Sequence, residues 1–266
     1  MVLSAQGPIA ERPLIARRLP VPDPGRGEVL LAVTACAICR TDLHIAEGDL
    51  PLLRAPLVLG HQIVGRVLRS GPDAGRLQPG TRVGVAWLRR TCGVCASCTS
   101  GRENLCATAE FTGYHADGGY AEYAVAPEAY VYPLPAVFGD ATAAPLLCAG
   151  IIGYRALKIA TVARGGTLGM YGFGSSAHIT LQIAVARGST VYVCTREPAH
   201  RELARSLGAA WVGGPNERMP TPADGIIIFA PAGDLVPLAL GNLAPGGTVA
   251  LAGIHMSAIP ALAYGD

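Results

Sequence analysis

Up to about residue 138 the chain is patterned in short apolar runs: EVLLAVTAC (28–36), QIVGRVL (62–68), TRVGVAW (81–87) and YAEYAVA (120–126). Gly and Pro punctuate them, as in PDPG and QPG, and this rhythm predicts an all-β, barrel-like domain. From residue 139 the texture changes. The apolar strands TLGMY (167–171), TVYVC (190–194), GIIIF (225–229) and TVALAG (248–253) alternate with helical segments that start near 175, 198 and 234. That alternation predicts βαβ units and a doubly wound parallel sheet, so the expected class is α/β with domains at 1–138 and 139–266.

Composition removes several function classes. The 266 residues are 50% hydrophobic and 15% charged with a net charge of +2, which leaves no electrostatic footprint for nucleic acid or an anionic membrane. The expected partner is a small molecule. Mean hydropathy is +0.36, and residues 165–186 and 235–265 carry no Asp, Glu, Lys or Arg. Polar residues, Gly and Pro break both stretches, whereas a membrane helix needs about 20 apolar residues. The start, MVLSAQGPIAERPL, lacks the basic-then-apolar order of a signal peptide, so a cytoplasmic location is expected. In that reducing compartment eight cysteines point to metal binding or catalysis rather than to disulfides.

Cys92, Cys95, Cys98 and Cys106 fall within TCGVCASCTSGRENLC. Four thiolates so close can surround a tetrahedral Zn²⁺ in a closed, structural site, and an iron–sulfur cluster is the nearest alternative. The residues between them are Gly, Ser, Thr and Arg, which do not build a core. A second constellation follows the first strong strand: Cys39, Arg40, Thr41, Asp42 and His44, then His61 in LGHQ and Cys148 in APLLCAG. Spacing alone does not join residues 39, 61 and 148.

After TLGMY comes Gly172-Phe173-Gly174-Ser175-Ser176-Ala177, a GxGxxA turn between a strand and a helix. The glycines allow backbone to approach a pyrophosphate at a helix N-terminus, and Ala177 allows close helix packing. TVYVC ends in Thr195 and Arg196, where an NAD-binding chain usually carries an acid for the ribose hydroxyls. A hydroxyl and a guanidinium suit a 2′-phosphate, so NADP is expected over NAD, although Glu197 could partly stand in for the acid.

The strings GEVLLAVTACAICRTDLH, LGHQIVGRV, CGVCASCTSGRENLC, GYHADGGYAEY and APLLCAGIIGYRALK, in this order, resemble the zinc-dependent alcohol dehydrogenases of the medium-chain dehydrogenase/reductase family. The resemblance covers essentially the whole chain. It implies a GroES-like catalytic domain fused to a Rossmann domain, and an oxidoreductase that interconverts alcohols with aldehydes or ketones by hydride transfer to NAD(P)⁺. The four-cysteine lobe then matches the family's structural zinc. Cys39, His61 and Cys148 match the three ligands of a catalytic zinc, with a fourth position open to substrate. A cation there can bring the pKa of a bound water down to about 7. Thr41 matches the hydroxyl that takes the substrate proton, His44 its relay to solvent through the cofactor ribose, Arg40 the basic residue at the pyrophosphate, and Asp42 the carboxylate that fixes His61.

One departure is Gln62, where the family usually has glutamate behind the metal; the lost negative charge is expected to make the metal more electrophilic. Trp87 reads equally as a wall of the substrate pocket and as a core residue. Cys36, Cys194, His115, His178, His200 and His255 read as packing or surface residues. Family members normally continue beyond the equivalent of Asp266 and form homo-oligomers, so the Rossmann sheet is expected to be incomplete at its C-terminus. The competing reading is therefore an impaired or inactive relative that still binds nucleotide and zinc.

Overall fold

The structure, a computed structural model, describes residues 1–262; the last residues of the expected second domain, 263–266, lie outside the described residues. Two compact units divide after Cys148: Met1–Cys148 and Ala149–Asp266. The division falls there because the segment leading to Cys148 packs back onto the first sheet. Ala143, Ala144 and Leu147 bury against Val64, and the Arg82 guanidinium donates to Asp140 at 2.6 Å and to the Phe138 carbonyl at 2.8 Å.

In the first unit, strands β1 (Glu28–Ala37), β2 (Gln62–Ser70), β3 (Arg82–Val85), β4 (Tyr123–Pro127) and β5 (Val131–Pro133) form an antiparallel sheet in the order β5-β3-β2-β1-β4. Alternate residues turn one way, as side chains in a strand must. Val29 and Leu31, Val83 and Val85, and Ala124 and Ala126 thus meet in one core with Ile63, Val67 and Val131. Each fully buried Val, Leu or Ile contributes roughly 1.5–3 kcal/mol. The β1/β2 register sets Ala37 opposite Gln62, so the residues just past β1 lie beside those just before β2. Those flanking positions hold Cys39 and His61.

The second unit has strands β6 (Thr167–Tyr171), β7 (Thr190–Cys194), β8 (Trp211–Gly213), β9 (Ala223–Ile228) and β10 (Leu243–Leu251), all parallel, in the order β8-β7-β6-β9-β10. In strand sequence this is 3-2-1-4-5, the order of the first five strands of a dinucleotide-binding sheet. Both faces are covered. Leu168, Met170, Val191, Val193 and Ile227 pack with Ala177, Leu181 and Ala184 of the helix Ser175–Ala186. Tyr171, Tyr192, Ile226 and Ile228 pack with Leu235, Val236 and Ala239 of the helix Leu235–Leu240. Burial on both faces is why these strands read as unbroken apolar runs. The expected GroES-like plus Rossmann α/β class is what the chain adopts, with β8 as a three-residue strand that the apolar pattern had not marked. Among the described residues no single helix is long and apolar enough to cross a membrane.

At the rim of the first sheet the buried Glu128 carboxylate accepts the N–H groups of Leu77 at 2.8 Å and Gly75 at 3.1 Å. Burial alone would raise its pKa, but the backbone donors of Leu77, Arg76 and Gly75 outweigh it and hold the carboxyl below its usual range. A carboxyl with a depressed folded pKa stabilises the fold above its unfolded pKa, and this contribution is lost as pH falls through the folded value. Glu128→Gln is therefore expected to flatten the fall in unfolding free energy between about pH 5 and pH 3, read from urea titrations across that range.

Candidate functional site

The site is built at the junction of β1, β2 and α1 (Arg40–Glu47). Cys39 caps α1, and the Asp42 carboxylate reaches back to its N–H, half of a capping-box arrangement. Asp42 is buried and takes two donors on each oxygen. Oδ2 accepts the Cys39 N–H at 2.8 Å and the Tyr120 hydroxyl at 2.9 Å; Oδ1 accepts the Gly60 N–H at 3.2 Å and lies 3.2 Å from His61 Nδ1. Gly60 has φ +97°, and a Cβ there would come within 2.6 Å of the Tyr120 ring. Only glycine allows the backbone turn and the tyrosine to coexist.

His61 is fully buried. Its Nδ1 faces Asp42, whereas Nε2 has no hydrogen-bond partner among the described residues. A buried, orphaned ring nitrogen is costly unless something binds it. Cys148 ends the turn Ala144–Leu147, and its sulfur lies 3.7 Å from that of Cys39; a ring nitrogen of His61 and the two sulfurs all lie within 4.8 Å of one another. A tetrahedral ion with bonds of about 2.3 Å separates its sulfur ligands by about 3.8 Å, so the set fits zinc with one position left open.

The three groups do not titrate alike. The hydrogen bond from Cys148 holds the Cys39 thiol well below the ordinary range; burial opposes this and His61 assists, while Cys148 is pushed up. For His61, burial would lower the pKa, but Asp42 and Cys39 overcome it and hold the ring at about 9. Cys36 is different: burial pushes its thiol to about 12, in keeping with a packing role.

Thr41 is buried with its hydroxyl 3.7 Å from the Cys39 sulfur, and Arg40 is exposed at the start of α1. His44 is one turn further on, buried, with Nδ1 at 2.7 Å from Asp49. Gln62 is buried and donates to the Ala37 carbonyl at 3.2 Å. Trp87 meets the His61 ring edge-on at 4.9 Å and stacks on Phe111 at 4.8 Å, so it packs against a site residue while belonging to an apolar cluster.

The cysteine lobe closes on itself. Cys98 lies 3.5 Å from Cys95 and 3.9 Å from Cys92, sulfur to sulfur, and all four sulfurs lie within 4.8 Å of one another. The N–H groups of Cys95 and Cys92 point at the sulfurs of Cys92 and Cys106, at 3.3 and 3.5 Å. Such donors favour thiolates.

In the second unit the turn Gly172–Gly174 joins β6 to the helix Ser175–Ala186, at the point where the strand order reverses. The two glycines differ. Gly172 has φ +85° and abuts Ala230, so the fold itself demands it. Gly174 has an ordinary extended backbone, and a Cβ there would meet nothing within 4 Å. The helix N–H groups beside it are a natural seat for an anion. Ala177 is fully buried against the sheet. At the end of β7, Thr195 is buried and Arg196 exposed, and Arg201 Nε donates to the Thr195 carbonyl at 2.8 Å. Asp49 and Arg201 were not marked by any motif, and Tyr120, though it lies in GYHADGGYAEY, was given no role there; the part each plays is recognisable only from its partner in space.

A family model described as the alcohol dehydrogenase GroES-like domain matches residues 25–136. A Mycobacterium tuberculosis protein named "Probable alcohol dehydrogenase AdhA" is 50% identical over 263 residues, covering 97% of this chain and 76% of its own length. The chain spans 61% of a Geobacillus stearothermophilus alcohol dehydrogenase that is 40% identical over 206 residues. Among solved structures, CAD from Helicobacter pylori complexed with NADP(H) is 28% identical with a TM-score of 0.82, over 90% of this chain and 72% of that one. The cobalt- and zinc-bound thermostable alcohol dehydrogenase from Pyrobaculum aerophilum is 27% identical with a TM-score of 0.83, over 94% and 76%.

Because Asp42 accepts four bonds and donates none, Asp42→Asn places an amide N–H against existing donors. Chemical denaturation is expected to show the first unit less stable by about 1–3 kcal/mol.

Proposed function

The chain belongs to the alcohol dehydrogenases of the medium-chain dehydrogenase/reductase family, and we propose that it oxidises primary or secondary alcohols to aldehydes or ketones, reversibly, with NADP⁺ as hydride acceptor. The observation that carries this reading is the unpartnered Nε2 of buried His61 beside the paired sulfurs of Cys39 and Cys148. These three residues hold the catalytic zinc; Cys92, Cys95, Cys98 and Cys106 hold a second, structural one. When bound, the catalytic ion supplies positive charge that acidifies the substrate hydroxyl.

The chain's own groups do the rest. The Thr41 hydroxyl accepts the proton of the alcohol and passes its own onward, which a hydroxyl can do because it both donates and accepts. His44 receives it. NADP⁺, when bound, would supply the hydride acceptor, so that an alcohol losing one proton and one hydride would become the carbonyl. Gly172, Gly174 and Ala177 would form the turn for the cofactor's pyrophosphate, Thr195 and Arg196 would take its 2′-phosphate, and Arg40 is carried over from the resemblance as a cofactor-binding cation. The open space over Gly174 supports this, since neither strain nor packing among the described residues explains a glycine there. Thr195-Arg196 lacks the acid that would select NAD, and the H. pylori relative was solved with NADP(H). A cytoplasmic setting would keep the ligand thiols reduced.

Elemental analysis is expected to give about two zinc per chain, falling to about one in either Cys39→Ser or Cys98→Ser. Following reduced nicotinamide with short alcohols should show turnover with a higher kcat/KM for NADP⁺ than for NAD⁺; zinc-loaded protein without turnover would overturn the reading.

Gly174→Ala separates ligand from fold. Stability should stay within about 0.5 kcal/mol, as for a substitution that touches nothing. Affinity for NADPH, measured by fluorescence titration, should fall on the order of tenfold, because the added methyl occupies the pyrophosphate's place.

A further inference from the structure

We infer that Arg82 and Gly84, on a strand that carries no ligand, are positioning residues for Cys148: together they set its sulfur at the distance from Cys39 that a tetrahedral ion requires. The inference rests on the ligand role proposed for Cys148 and adds to it two residues to which the strand pattern gave no role.

Asp42 bonds the other two ligands directly, through the Cys39 N–H and the His61 ring. Among the described residues, Cys148 exchanges no hydrogen bond with it, and the Cys148 N–H reaches only the Pro145 carbonyl of its own turn, at 3.3 Å. Its placement comes instead from whatever anchors the segment that leads to it. The demand is strict, because a ligand set works only when held within about 0.5 Å of its productive geometry. Here the two sulfurs stand 3.7 Å apart.

Side chains alternate along β3. Val83 and Val85 enter the core of the first sheet, so Arg82 and Gly84 face the other side, where the segment before Cys148 packs. Arg82 spreads its guanidinium over three points of that segment. Nε donates to Asp140 Oδ1 at 2.6 Å, Nη1 to the Pro135 carbonyl at 2.9 Å and Nη2 to the Phe138 carbonyl at 2.8 Å. A planar fork can span three acceptors, whereas lysine offers one point charge. Hydrogen bonds from Thr34 and then Arg82 hold the Asp140 carboxyl below its ordinary pKa, which keeps the pair charged. From Asp140 the helix Asp140–Ala143 passes directly into the turn Ala144–Leu147 and ends at Cys148. An anchor at its start thus fixes the direction from which the thiol arrives.

Gly84 fixes the depth. It pairs with Val64 on one side and Tyr132 on the other. A Cβ at this position would come within 2.6 and 2.9 Å of the two Leu147 methyls and 3.2 Å of Leu134. Leu147 therefore fills the space that any other side chain at 84 would need, and it directly precedes Cys148. It is buried with Ala143, Ala144 and Val64, so a methyl added at 84 pushes on a packed side chain and, through it, on the backbone that carries the thiol.

The test uses the full-length, zinc-loaded chain, and the same chain with cobalt(II) exchanged into the Cys39–His61–Cys148 site, where the thiolate-to-cobalt charge-transfer band reports sulfur ligands. Cys148→Ser sets the reference, with the band expected to fall by about half because one of two sulfurs is gone. Arg82→Lys and Gly84→Ala should each weaken the band toward that reference and lower the zinc affinity of this site, measured against a competing chelator, by roughly 10- to 100-fold. Zinc in the cysteine lobe should be retained. Gly84→Ala combined with Leu147→Val, which withdraws the two methyls, should recover much of the affinity, and this pair carries the test if Arg82→Lys does not fold. Variants that lose stability to urea while keeping wild-type affinity and band overturn the inference, as does a double variant no better than Gly84→Ala. A band unchanged in Cys148→Ser would instead overturn Cys148 as a ligand, and with it the reading on which the inference rests.

Discussion

Everything in the first unit that concerns chemistry hangs on one buried carboxylate. Asp42 gathers the Cys39 N–H, the Gly60 N–H, the His61 ring and the Tyr120 hydroxyl onto its two oxygens. An unpaired buried carboxylate is costly, and four donors offset that cost. They belong to three separate stretches of chain, so the same bonds tie α1, the entry to β2 and the loop at Tyr120 together. The phenol feels the grip: burial and then the charge of Asp42 push its pKa upward. With Nδ1 of His61 committed to Asp42, Nε2 is the nitrogen left for the sulfur pair, and ring orientation and tautomer are set together.

The strand register supplies the other half of the placement. Antiparallel pairing of Ala37 with Gln62 brings the end of β1 beside the start of β2, so residues more than twenty positions apart come to share one corner. Gln62 belongs to this frame. Its amide bonds the Ala37 carbonyl across the pair, which makes it a structural member of the sheet. Cys148 arrives from much further along the chain, carried by a turn that packs on Val64 of the same sheet. Backbone geometry thus assembles a ligand set that no local segment contains.

The two units achieve their sites by opposite means. In the first, side chains are locked by hydrogen bonds and the site is defined by what fills it. The second relies on backbone: a strand end, a glycine forced into positive φ, a glycine facing open space and a helix N-terminus. The first arrangement suits an ion that needs directional ligands, and the second an extended phosphate chain that needs N–H groups and room.

Much was legible along the sequence because it is local. The shift from β punctuation to βαβ alternation, the CxxCxxC lobe and the GxGxxA turn all lie within short windows, where period and spacing carry the information. Shorter signals were lost. Eight residues of α1 and three of β8 are too few to establish a period. Cys39, His61 and Cys148 could be joined only through resemblance, because spacing says nothing about residues brought together by sheet pairing. The sequence by itself determined the two architectures, the closed cysteine lobe and the glycine turn after TLGMY. Tertiary structure alone decided that Asp42 is a four-donor hub, that His61 keeps an orphaned nitrogen beside two sulfurs, and that Asp49 turns back onto His44. Each of those depends on where a chain folds back, and that is settled by burial and register rather than by any pattern along it.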